Sequence, residues 1–99
     1  MNRTDYIRNI EAVFNDTLEI IKAKSADYAT EDDPFKNFRV AETLGFDLSE
    51  GILIRMSDKF SRISNLLQHP PNVANESITD TLADLVAYSA ILLVYLNSQ

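Results

Sequence analysis

The sequence predicts an all-α protein, a four-helix, bundle-like domain with three long helices and one short. Three observations predict it. Apolar residues recur at three- and four-residue spacing through most of the chain, as they do on one face of an α-helix. Only two glycines and three prolines occur in 99 residues, too few for a turn-rich β fold. Asp33-Pro34, Leu44-Gly45 and His69-Pro70-Pro71 fall where the periodic stretches stop and restart.

In the first helix, Thr4 is an N-cap candidate with Asp5 favourable in the first turn. Tyr6, Ile7, Ile10, Val13, Phe14, Leu18 and Ile21 then keep helical spacing, which predicts a helix from about Asp5 to Tyr28. Asp33 as N-cap and Pro34 at the first position predict a short second helix carrying Phe35, Phe38, Ala41 and Leu44, with Gly45 ending it. Asn37 and Arg39 lie on its polar side.

Asp47 or Ser49 caps a third helix to about Gln68, where His69-Pro70-Pro71 stops it. Gly51 in its first turn costs about 1 kcal/mol of propensity against alanine. Ile52, Met56, Phe60, Ile63 and Leu67 form the expected core seam, and Arg55, Asp58, Lys59 and Arg62 the other side. Asn75 is the expected N-cap of the fourth helix, Glu76 to Leu96, whose seam is Ile78, Leu82, Leu85, Ser89, Leu92 and Leu96. Ala90 to Leu96 is apolar nearly all round, so that end is expected to be buried in its own domain or against a partner subunit. Short connections imply antiparallel neighbours, the third and fourth helices forming a hairpin.

The whole chain, 1–99, reads as one domain. A chain this small buries only about two-thirds of its unfolded surface, which favours a homodimer or higher homo-oligomer. A formal charge of −6 argues against a general duplex-DNA binder, which needs a basic face. It does not exclude a small nucleotide, because a metal ion can bridge carboxylates to phosphate. With no cysteine there is no disulfide, thiolate nucleophile or Cys-based zinc site. The N-terminus does not read as a signal peptide, and the apolar run Leu85 to Leu96 is shorter than the ~20 residues a span needs, so a cytoplasmic setting with no membrane partner is expected.

Three groups of residues could carry chemistry. Glu76, Asp80 and Asp84, at intervals of four with Tyr88 continuing the row, put three carboxylates on one helical face. With Asp58 on the third helix they could hold Mg2+, whose hard-oxygen coordination suits carboxylates and phosphates. The same stripe could instead pair with Arg55, Lys59 and Arg62 as an interhelical salt-bridge network. Lys24, Arg55, Lys59 and Arg62 form a basic group suited to phosphate oxygens, or to that same network. Asp27 and Tyr28, with Asn37 and Phe38, could stack on and read a base, or simply pack two helices together. His69, the lone histidine, reads as a loop residue; no Ser-His-Asp set, glycine-rich phosphate loop or zinc motif is present.

The succession K-x-x-DY, DPF-x-NF, R-x-x-DK-x-x-R and ES-x-x-DTL-x-DL-x-x-Y, over roughly Lys24 to Leu96, resembles small phage and bacterial proteins related to the nucleotide modification associated type 1 domain. These resemble, more distantly, the all-α nucleotide pyrophosphohydrolases of the MazG and dimeric dUTPase group. The resemblance rests on Lys24, Asp27, Tyr28, Asn37, Arg55, Asp58, Lys59, Arg62, Glu76, Asp80, Asp84 and Tyr88. It implies a helical oligomer in a bacterial or phage-infected cell that handles a nucleotide, with Mg2+ on Asp58, Glu76, Asp80 and Asp84, and Asp58 and Asp84 in catalytic roles. The departures are that the third helix has Arg55 and Lys59 where further acids are expected, and Thr81 stands three residues before Asp84 in place of a glutamate. The sequence therefore leaves three functions open: a Mg2+-dependent nucleoside triphosphate pyrophosphohydrolase, a non-catalytic protein that sequesters or senses a nucleotide-derived molecule, and a helical interaction module.

Overall fold

The computed structural model describes residues 1–69 and 77–99. Among the described residues the regular structure is entirely helical: α1 (Arg3–Tyr28), a 3-10 turn (Lys36–Phe38), α2 (Val40–Thr43), α3 (Leu48–Gln68) and α4 (Ile78–Asn97). The all-α class is as the periodicity predicts, with α2 reduced to a single turn. Contacts divide the chain into two compact units, Met1–Lys36 and Asn37–Gln99.

The first unit is essentially α1. Asn2 caps it, its Oδ1 accepting the Asp5 N–H at 2.8 Å, so the helix starts ahead of the expected Thr4 cap. Tyr6, Ile7, Ile10, Val13, Phe14 and Leu18 are exposed, whereas Thr17 is buried and donates its hydroxyl to the Val13 carbonyl. Asp33 caps no α-helix. Its backbone exchanges two hydrogen bonds with Thr30, and its carboxylate accepts the Phe35 N–H across Pro34. This Asx-type turn leads into the 3-10 turn, so the Asp-Pro signal marks a turn here.

The second unit holds the remaining elements. Gly45, at φ +86°, ends α2. The Phe46 N–H reaches the Ala41 carbonyl and the Gly45 N–H the Glu42 carbonyl, the paired bonds of a Schellman stop. Two residues later Asp47 starts α3 with a complete capping box. Its carboxylate accepts the Ser49 N–H at 2.9 Å while Glu50 accepts the Asp47 N–H at 3.2 Å.

Gly51 does more than lower helix propensity. A Cβ there would stand 2.7 Å from the Ala41 Cβ, so α2 lies on α3 at a distance only glycine permits. Phe38, Ala41, Leu48 and Ile52 are buried around that approach.

The inward faces of α3 and α4 differ from those the apolar spacing predicts. On α3, Leu48, Ile52 and Ile63 are buried with Arg55 and Lys59 half-buried between them, while Phe60 and Leu67 are 67% and 74% exposed. On α4, Thr81 and Tyr95 are buried, with Asp84 and Tyr88 half-buried between them. Leu82, Ser89 and Leu96 of the expected seam face solvent, as do Leu93 and Val94. α2 packs on α3 at Gly51, and α4 meets the Arg55 and Lys59 side of α3 with its own polar row, Asp84 and Tyr88.

Contacts pairing residue 47 with 95 and 59 with 84 make α3 and α4 antiparallel, as expected of a hairpin. Ser77 caps α4 by accepting the Asp80 N–H, and Thr81 donates its buried hydroxyl to the Ser77 carbonyl. The predicted cap Asn75, and Glu76, lie outside the described residues. Although Leu85 to Leu96 is short, α4 as a whole is 20 residues and apolar enough by length and composition to cross a membrane.

Candidate functional site

Phe38, 5% exposed, is the centre of the site. The 3-10 turn sets it down beside α3, where the Arg55 guanidinium lies over its ring, 4.9 Å from the centroid. Tyr88 of α4 meets the same ring edge-on at 6.2 Å and 80°. Arg55 also donates through Nη2 to the Asn37 carbonyl at 3.1 Å, so one residue of the turn is held by its backbone while the next is held by its ring. Cation–π contact and hydrogen bond together fix the orientation of the guanidinium.

One turn along α3, Lys59 reaches Asp84 of α4, Nζ to Oδ2 3.0 Å. The two side chains are 21% and 33% exposed. A charge pair this far out of water gains more from attraction than a surface pair does, and costs more in lost hydration. Two helices and one turn thus bring Asn37, Phe38, Arg55, Lys59, Asp84 and Tyr88 into one cluster: two cations, one carboxylate, two aromatic rings and a backbone carbonyl.

A second polar contact closes the other end of the hairpin. The Tyr95 hydroxyl bonds to Asp47, the cap of α3. Bonds from the Ser49 hydroxyl and N–H, with smaller help from Tyr95, hold the Asp47 carboxyl below its ordinary 3.8. Burial first, then the negative charges of Asp47 and Glu42, pushes the Tyr95 hydroxyl above its ordinary 10.0. This contact ties helix ends together and has no evident chemistry.

Asp58 and Arg62 are exposed on α3, and Asp80 is exposed in the first turn of α4. Lys24, Asp27 and Tyr28 are exposed at the end of α1, in the first unit. Glu76 is outside the described residues. Among the described residues no three of His, Cys, Asp and Glu come together as a metal-holding group. Asn37 takes part through its carbonyl. Sequence reasoning underrated Phe38, which is both core residue and platform, and missed the Asp47–Tyr95 contact. The signal for Phe38 was its place beside Asn37 and seven residues before Gly45; nothing local announced a partner for Tyr95.

No protein-family model, no curated protein and no solved structure matches this chain.

Proposed function

We propose that the chain is a nucleotide-binding protein that takes a nucleotide or nucleotide-derived small molecule at the Phe38 cluster. In this reading Arg55 and Lys59 meet phosphate oxygens, and Tyr88, with the adjacent edge of Phe38, offers an aromatic surface to the base. The observation that supports it is the company these side chains keep. Five of the residues on which the sequence resemblance rests come together in two contacts one helical turn apart, Arg55 and Tyr88 with Asn37 at the Phe38 ring, and Lys59 with Asp84 beside it. A purely structural hairpin would be served at least as well by leucine or phenylalanine on that face, because half-buried ion pairs rarely outperform apolar packing. The chain instead leaves Leu53, Phe60, Leu67, Leu82, Leu93 and Leu96 exposed on these two helices.

The geometry favours binding over hydrolysis. Among the described residues Asp84 is the one carboxylate of the cluster, and it faces a lysine; Asp58 and Asp80 are exposed. Pyrophosphohydrolysis is the second reading. It is favoured by Asp80 and Asp84 standing one turn apart, where a Mg2+ ion joined by Glu76 could bridge to a triphosphate and activate a water. Asp84 would then be a metal ligand and catalytic group.

A thermal-shift screen of nucleoside mono-, di- and triphosphates, with and without Mg2+, tests both. A ligand at 100 times its Kd stabilises the folded state by about 2.7 kcal/mol. Binding in EDTA that survives Asp84→Asn and is lost in Lys59→Gln supports the binding reading. Mg2+-dependent release of pyrophosphate that Asp84→Asn abolishes supports the enzyme. No shift with any nucleotide under either condition overturns both and leaves a helical interaction module.

A further inference from the structure

We infer that the ligand of the Phe38 cluster carries a single phosphate group, anchored on Arg55, and that Asp84 sets that number by neutralising Lys59. This ligand class narrows the nucleotide-binding reading and rests on it. The two cations of the cluster are not equivalent. Lys59 already has a carboxylate, its Nζ 3.0 Å from Asp84 Oδ2. Arg55 has none among the described residues. Its guanidinium is half-buried, its face rests on the Phe38 ring, and one N–H goes to the neutral Asn37 carbonyl. A cation drawn partly out of water without a counter-charge is costly, and an anionic ligand offsets that cost. The rest of the planar fork is left to grip two phosphate oxygens at once. Ring and carbonyl hold the guanidinium in place beforehand, so less side-chain freedom is lost when the ligand arrives.

Charge then limits the ligand. Arg55 and Lys59 against Asp84 leave the cluster a single positive charge in surplus. A phosphate monoester brings about −1.5 to −2 at neutral pH, so one group already exceeds that surplus. Each further phosphate adds negative charge beside the Asp84 carboxylate, with no second unneutralised cation of the cluster to meet it. The surroundings add to the repulsion. Asp58 is exposed next to Lys59, Asp80 is exposed one turn before Asp84, and the whole chain carries −6. Arg62, three residues beyond Lys59, is exposed, has a partner of its own and stands outside the cluster. Lys59 still donates a hydrogen bond to the bound phosphate, through an N–H that Asp84 does not use, but the pair it forms with Asp84 lends the ligand no net charge.

The test is isothermal titration calorimetry of the full chain in EDTA. The probes are adenosine, guanosine, cytidine and uridine, each as the nucleoside and as its 5′-mono-, di- and triphosphate. For the base that binds, the monophosphate should bind about tenfold or more tighter than either the nucleoside or the triphosphate. Asp84→Asn, which releases Lys59 as a second cation, should tighten the triphosphate by about tenfold or more and remove most of the monophosphate preference. Circular dichroism checks that the variant keeps its helices. A triphosphate that binds wild type as tightly as the monophosphate overturns the inference and leaves the nucleotide-binding reading standing, and this comparison needs no variant. A monophosphate preference that a folded Asp84→Asn protein retains in full overturns the role of Asp84. Absence of binding by every probe overturns the nucleotide-binding reading, and the single-phosphate ligand with it.

Discussion

Gly51→Ala sets two physical effects against each other at one atom. Alanine in a helix interior is better than glycine by about 1 kcal/mol, so on an open surface the change would stabilise α3. At this site the new methyl would lie 2.7 Å from the Ala41 Cβ. Carbon atoms in contact sit at about 3.5–4.0 Å, so α2 must retreat by about an ångström. It cannot do so alone, because the same short segment carries Phe38 and Ala41, 5% and 7% exposed, and ends at the Gly45 stop. Overpacking of this kind costs about 1–3 kcal/mol, which exceeds the propensity gain at most of that range. The expected result is a net loss of up to about 2 kcal/mol, or up to about 15 °C in Tm for a domain of this size. Urea denaturation followed by circular dichroism measures it. Ala41→Gly in the Gly51→Ala background removes the opposing methyl and should recover most of the loss, a coupling that a double-mutant cycle isolates. A Gly51→Ala protein more stable than wild type would refute the close α2–α3 approach.

Phe38→Ala should cost about 3–5 kcal/mol and, where the protein still folds, weaken nucleotide binding, since Arg55 and Tyr88 both rest on that ring; Phe38→Leu should keep more of the stability than of the binding. Tyr95→Phe should lower the unfolding midpoint at neutral pH through loss of the hydroxyl bond to Asp47. It should also change the alkaline limb: because the Tyr95 hydroxyl titrates higher folded than unfolded, its contribution is complete below 10.0 and fades as pH rises beyond it, a fade the phenylalanine variant should lack. Asp47 works in the opposite sense. Its depressed carboxyl stabilises the fold above about 3.8 and loses that contribution as pH falls through its lower folded value, so Asp47→Ala should flatten the acid limb of a pH–stability curve. Replacing Lys59 by methionine should cost only about 1 kcal/mol at low salt and less at high salt, given the partial exposure of both partners, while lowering affinity for any phosphate ligand.

Part of the candidate site was legible in the residues. Arg55, Lys59, Asp84 and Tyr88 stand out as polar side chains at helical spacing on helices otherwise rich in apolar residues, and they do meet. The metal-binding quartet was a different kind of inference. Its four carboxylates share helical rows in sequence, but a row on a helix says nothing of which way it points. Asp58 and Asp80 are exposed, and Glu76 lies outside the described residues. The role of Asn37 through its carbonyl, and that of Gly51 through its missing methyl, depend on neighbours brought in from another segment, which spacing alone does not reveal.

The sequence by itself determined the helices: their number, their stops and one of their caps. Those features are local. The Asp47 and Glu50 capping box and the left-handed turn at Gly45 each act within a few residues of where they are written. What only the tertiary structure decided was which side of α3 and α4 faces inward. Each helix carries two usable faces, one apolar and one of mixed charge and aromatic character, and hydrophobic periodicity favours the apolar one. The tertiary contacts split the two faces: Phe38 lies against Arg55 and Lys59 against Asp84 on the side that also buries Ile52 and Ile63, while Phe60, Leu67, Leu82 and Leu96 of the expected seams are left exposed.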